Sequence, residues 1–72
     1  MTLPEMIAVD STNIEAVGYD EPAQDLYVQF EGGRIYIYSG VSTYTYEDLL
    51  SAPSKGSYFN REIKPNYEAR LS

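Results

Sequence analysis

The segment "RIYIY" (34–38) alternates aromatic and aliphatic side chains with a period of two. That is the period of a β-strand, in which successive side chains point to opposite faces. Upstream, "QDLYVQFE" (24–31) alternates in the same way, and "EGGR" stands between the two runs. Gly32-Gly33 predicts a two-residue hairpin loop, because both central residues can take positive φ. Such a loop sets Glu31 opposite Arg34, Phe30 opposite Ile35, Gln29 opposite Tyr36, Val28 opposite Ile37 and Tyr27 opposite Tyr38. Leu26, Val28, Phe30, Ile35 and Ile37 then share a core face, and Tyr27, Gln29, Glu31, Arg34, Tyr36 and Tyr38 share the other. "NIEAVGYD" (13–20) predicts a preceding strand, joined through "DEPAQ", where Asp20 and Pro22 suit a turn. Its Val17 and Tyr19 fall on the core face, leaving Ala16 and Gly18 near Tyr27.

From residue 41 the period changes. "SGVSTYTYEDLLSAP" places Tyr46, Leu49 and Leu50 at i, i+3 and i+4, a helical stripe that Pro53 terminates. Ser42 suits the N-cap, with Glu47 and Asp48 toward the helix start. "SKGSYFNREIKP" predicts a second helix capped by Ser54, turning Phe59 and Ile63 inward and stopping at Pro65. Residues 1–13 are expected to form an arm ending in the polar turn "DSTN". Residues 14–67 form a single domain, and 68–72 a tail pinned by Tyr67 and Leu71. The expected fold class is α+β: a three-stranded antiparallel meander followed by two short helices packed on its apolar face. At 72 residues there is room for one domain, and burial is marginal. Most large apolar groups must lie inside, or a partner subunit must cover them.

Composition narrows the chemistry. The chain has no cysteine and no histidine, which excludes zinc sites of the usual donor set, thiol nucleophiles and histidine-based triads. Its carboxylates are scattered over turns and solvent faces, with nothing to desolvate one of a pair. Three of them, Asp20, Glu21 and Asp25, cluster in one turn but lack the ligand number and glycine placement of an EF-hand. No catalytic residue, metal or cofactor is therefore expected. The absence of disulfides suits a reducing compartment. "MTLPEMIAVD" lacks a basic region ahead of its short apolar run, and no run approaches membrane-spanning length. A soluble cytoplasmic protein with no membrane partner is the expectation.

The net charge of −6 opposes general nucleic-acid binding, but it is unevenly spread. Residues 1–50 carry nine acids and one base, Arg34; residues 51–72 carry four bases and two acids. Cationic surface is thus expected from the last third. "SKGS" (54–57) combines a helix start, whose N–H groups are unpaired, with Gly56 for close backbone approach and Lys55 for a full charge. Together these suit a phosphate or carboxylate; the simpler alternative is a Ser54 cap beside an exposed lysine. The leading glycine of a Walker loop is missing. Arg61 and Lys64 lie where cations favour the helix dipole; if they bind a ligand they extend the Lys55 patch, with Asn60 adding hydrogen bonds. Tyr27, Tyr36 and Tyr38 would form an aromatic sheet face able to stack bases. The alternatives are cross-strand pairs that only stabilise the sheet, cover by the N-terminal arm, or a protein interface.

"YIYSG" followed by "LLSAPSKGSYFNREI" resembles the KTSC domain, a short bacterial module found alone and at the C-terminus of some lysyl-tRNA synthetases. The resemblance spans roughly residues 9–67. Its most specific parts are Tyr36-Ile37-Tyr38 and "APSKGSYFN" (52–60). It implies a small antiparallel sheet followed by helices, and RNA binding is the function suggested for the family; the acidity of this chain departs from that suggestion. The combined expectation is a non-catalytic module for single-stranded RNA or a nucleotide-type ligand, with Ser54, Lys55, Gly56 and Asn60 at the helix start, Tyr36 and Tyr38 stacking, and Arg61 assisting. The alternative is a protein partner or self-association through the tyrosine face, since tyrosine is enriched at protein interfaces.

Overall fold

Gly32 and Gly33 both adopt positive φ, +96° and +90°, as the sequence requires, but the loop they build has three residues. The Gly33 N–H donates to the Phe30 carbonyl (2.9 Å), and the Phe30 N–H donates to the Arg34 carbonyl (2.8 Å). The two strands therefore pair one residue out of the expected alignment: Tyr38 faces Leu26, Ile37 faces Tyr27, Tyr36 faces Val28 and Ile35 faces Gln29. Because the side-chain period is two, this single step sends every side chain of the second strand to the other face. Tyr36 and Tyr38 join Leu26 and Val28 on the core side; Ile35 and Ile37 join Tyr27 and Gln29.

In the computed structural model, residues 3–72 are described. The elements run β1 (Ile7–Ala8), β2 (Ile14–Asp20), β3 (Asp25–Phe30), β4 (Ile35–Ser39), α1 (Thr43–Ser51), α2 (Lys55–Tyr58) continuing into a π-helical segment (Phe59–Ile63), and β5 (Ala69–Leu71). The strands form one five-stranded sheet in the order β1-β2-β3-β4-β5, with each neighbouring pair antiparallel. The fold is α+β with two helices, but the sheet has five strands rather than three, the outer two coming from the expected arm and tail. Elements of two and three residues are too short to carry a period of their own; pairing with a formed edge makes them strands.

The helices follow their caps. Ser42 Oγ accepts from the Thr45 N–H at 3.2 Å, and Leu49 is fully buried, with Tyr46 and Leu50 packed beside it. With Thr43 as first residue, Glu47 and Asp48 stand beyond the first turn, not at the helix start. Ala52, preceding Pro53, is extended (φ −66°, ψ 136°), as a residue before proline prefers. Ser54 then caps α2 by accepting from the Ser57 N–H at 3.3 Å. The following turn widens, with the Lys64 N–H bonded to the Phe59 carbonyl at 2.9 Å, and both Phe59 and Ile63 point into the core.

Phe59 organises an aromatic cluster under the sheet. Its ring lies edge-on to Phe30 (5.5 Å between centroids) and to Tyr38 (5.3 Å), and Phe30 meets Tyr36 at 5.8 Å. Edge-to-face pairs of this kind add about 0.5–1.5 kcal/mol each beyond burial. A bulge between Ile14 and Ala16 lets Ile14 and Val17 both face this core while Ala16 turns away. Tyr19 joins it as expected, stacking on Tyr46 at 4.8 Å and donating its hydroxyl to the Val41 carbonyl.

The second face of the sheet is covered as well. Gly18 lies opposite Tyr27, which lies opposite Ile37; the relative exposures of Tyr27 and Ile37 are only 7% and 8%. A Cβ on Gly18 would fall 2.6 Å from Met6 Sδ and 2.9 Å from the Glu5 carbonyl oxygen. The arm therefore crosses the sheet where only glycine leaves room. With apolar groups buried on both faces, hydropathy does not discriminate between the two registers. No helix among the described residues is long and apolar enough to cross a membrane.

Candidate functional site

The tyrosine platform is absent. Tyr38 has 6% of its surface exposed, and its ring is edge-on to Phe59 on the helical layer. Burial, and next the neighbouring Tyr36, raise the pKa of its hydroxyl above the ordinary value. Tyr36 is half-buried against the same core. Tyr38 offers no open face on which a base can stack, Tyr36 keeps part of its surface while packing edge-on against Phe30, and the helices lie on the same side of the sheet as both rings.

The cations expected beside it are engaged locally. Lys55 Nζ donates to the Ala52 carbonyl at 3.1 Å, satisfying an orphan acceptor at the end of α1. Arg61 Nε bonds Glu62 Oε2 at 2.9 Å, with both side chains largely in solvent. Its guanidinium also sits 5.8 Å from the centroid of the Tyr58 ring. Burial raises the pKa of the Tyr58 hydroxyl, followed by the charges of Asp48 and Glu62 and by Tyr67, while Arg61 opposes them. Lys55 and Arg61 thus do not converge on one point.

Ser54, Gly56 and Asn60 do converge. They line, with Pro53 and Ser57, one wall of a cleft of about 530 Å³; the opposite wall is residues 10–13, the turn between β1 and β2. The two walls meet at Gly56, where a Cβ would stand 2.9 Å from Ser11 Oγ and 3.5 Å from Asn13 Oδ1. The turn is held from behind: the Asn13 carbonyl accepts from the Glu31 N–H (2.9 Å) and the Val9 N–H donates to the Glu15 carbonyl (3.0 Å). Gly56 is thus explained first by the close approach of this turn.

Within the cleft, Ser54 and Ser57 are occupied with each other, Oγ to Oγ at 3.0 Å. Ser11 donates to Asn13 Oδ1 at 3.4 Å. The side chains of Asp10, Thr12 and Asn60 line the space without a hydrogen bond to any other described residue. The lining contains one formal charge, that of Asp10, and neither lysine nor arginine. It can therefore accept and donate hydrogen bonds to a polar ligand of modest size, the volume lying within the roughly 300–1,000 Å³ of small-molecule sites.

Sequence reasoning found the helical wall from the chemistry of a capped helix start. It missed residues 10–13, which looked like an ordinary polar turn. The only signal linking the two was a glycine inside a helix, which often marks close approach of another backbone or side chain.

A family model described as the KTSC domain matches residues 10–67. The chain is similar to a protein of Tsukamurella paurometabola, 42% identical over 64 residues that cover 89% of this chain and 96% of that one. It is also similar to a lysine–tRNA ligase of Nostoc punctiforme, 33% identical over 63 residues, which are 88% of this chain and 11% of the ligase. Among solved structures, the crystal structure of a KTSC domain protein from Yersinia pestis superimposes with a TM-score of 0.88 at 35% identity, covering 94% of this chain and 96% of that chain.

Proposed function

The chain belongs to the KTSC domain family, and from that premise we propose that it is a non-catalytic binding module whose cleft between residues 10–13 and α2 takes an RNA or nucleotide-type ligand. The observation that carries this reading is the set of polar side chains, Asp10, Thr12 and Asn60, that line one concavity without a hydrogen bond to any other described residue. The backbone that carries them is held by a pinned turn on one side and a capped helix on the other. The nucleic-acid character of the ligand is supported by the occurrence of a similar segment within lysine–tRNA ligases, where it occupies about a tenth of the length. The mechanism is hydrogen bonding in the cleft rather than stacking on the sheet. Arg61, next to Asn60 in the chain, assists from the rim, while Lys55 supports the site by holding the end of α1.

Labelled single-stranded RNA followed by fluorescence anisotropy tests the assignment. Asn60→Ala removes a solvent-exposed amide with no internal partner, so the fold is retained and affinity falls about five- to tenfold, the worth of one hydrogen bond. Tyr38→Phe, which keeps the buried ring, leaves affinity unchanged. Undiminished binding by Asn60→Ala overturns the cleft assignment.

A second reading, self-association, is favoured by the sheet edge rather than by the tyrosines. All three residues of β5 are exposed, with Leu71 at 62%, and an open edge with an apolar side chain is a template for pairing. Sedimentation equilibrium distinguishes it: a dimer that Leu71→Lys dissolves supports this reading, and a monomer at high concentration removes it.

A further inference from the structure

Resting on the second reading, self-association, we infer that β5 pairs with the β5 of a second copy in one antiparallel alignment, with Ala69 of each chain beside the two-fold axis. The backbone leaves that edge open. The Ser39 N–H donates to the Glu68 carbonyl (3.3 Å) and the Ser72 N–H to the Ile35 carbonyl (2.9 Å), with Arg70 facing Ile37 between them. Residues 68, 70 and 72 therefore direct their backbone groups to β4, while Ala69 and Leu71 turn theirs outward along the free edge of the sheet. Pairing there joins two sheets into one, with the helices of both copies on the same side.

The sequence of this edge is complementary to itself. Read against its own reverse about Ala69, "YEARL" (67–71) sets Glu68 opposite Arg70, Ala69 opposite Ala69 and Leu71 opposite Tyr67. The Glu68–Arg70 pair occurs twice, at the positions without hydrogen bonds, where facing side chains come closest. Glu68 is exposed and forms no ion pair with a described residue. Arg70 gives one N–H from each terminal nitrogen to Ser39 and Asp25, and its other donors remain for a second carboxylate. Leu71, 62% exposed, gains an aromatic neighbour. The adjacent alignments lose this match: centring on Arg70 sets the two guanidinium groups face to face, and centring on Leu71 sets Arg70 against Ser72. The opposite edge has no such complement, since residues 3–13 carry Glu5 and Asp10 and no base, so β1 against its copy brings together only acids. In a chain of net charge −6, β5 is where acid and base balance. Three residues of strand bury little area, so the dimer is weak and depends on concentration.

The chain has no cysteine, so a single introduced thiol reports the alignment. Residue 69 lies about 5.5 Å from its copy, Cα to Cα, within disulfide reach. Residue 71 is about 14 Å from its own copy, too far to be bridged. Sedimentation equilibrium of the full chain is expected to show monomer and dimer in exchange. Glu68→Lys turns both attractive pairs repulsive and raises the dissociation constant roughly tenfold, while thermal unfolding close to that of the parent shows that the fold is kept. Mild oxidation links Ala69→Cys much faster than Leu71→Cys. A dimer that Glu68→Lys leaves intact, or one that links through Leu71→Cys instead, overturns this alignment while self-association stands. Assemblies larger than a dimer, as from β5 joining β1 of the next copy, overturn it likewise. A monomer at every concentration overturns the second reading, and the inference with it.

Discussion

Tyr38 is placed on the core side of its strand by a one-residue step in register, and its surroundings then define its chemistry. Burial disfavours the phenolate, so the folded protein holds the phenolic proton above the ordinary tyrosine pKa of about 10. The same direction applies to Tyr46, where burial acts first and the Glu5 carboxylate second. The unfolded chain loses these protons at the ordinary value while the native state retains them, so stability is fully present below about pH 10 and declines as pH rises above it. Urea midpoints at pH 8 and pH 11 measure this: the parent falls between the two, and Tyr38→Phe falls by less. An equal drop in both would show that the hydroxyl is solvated. The identity of the buried residues was mostly legible in the sequence, since Leu26, Val28, Leu49, Phe59 and Ile63 all lie where periodicity put them. The tyrosines were not, because a phenol satisfies either a buried aromatic cluster or a wet sheet face, and only register decides which.

At the scale of elements, the helices were the most legible because each carries its own start and stop. Ser42 and Ser54 cap as expected, and Pro53 and Pro65 follow the respective ends. The hairpin was legible in existence but not in alignment, since two consecutive glycines serve a two-residue or a three-residue loop equally well. The strand β5 depends on tertiary contacts. Arg70 reaches back across the sheet to Ser39 Oγ (2.7 Å) and Asp25 Oδ2 (3.2 Å), fastening the last strand to β3 and β4. Arg70→Ala is expected to cost about 1 kcal/mol or less, as for a half-exposed ion pair. Its effect is local: hydrogen exchange at Ala69–Leu71 accelerates while amides of β2 and β3 keep their protection. Uniform acceleration throughout the sheet would mean that β5 is part of the global unfolding unit.

At the scale of the whole molecule, folding brings together two segments with no common pattern in the sequence. The turn at residues 10–13 and the helix start at 53–60 become the two walls of one cleft because β1 returns alongside β2 and because Gly56 lets the turn come close. The chemistry of a helix start made half of the site legible; the other half follows from topology alone. The arm covers the outer face of the sheet and the helices the inner one, and this polar cleft lies between the turn and the second helix. The most direct test of that account is a two-dimensional ¹H–¹⁵N correlation spectrum recorded as oligouridylate is added. The account predicts shift changes confined to residues 10–13 and 53–60, with Tyr36, Tyr38 and their strand neighbours unmoved. Changes concentrated on the tyrosines of β3 and β4, with the cleft silent, would contradict it.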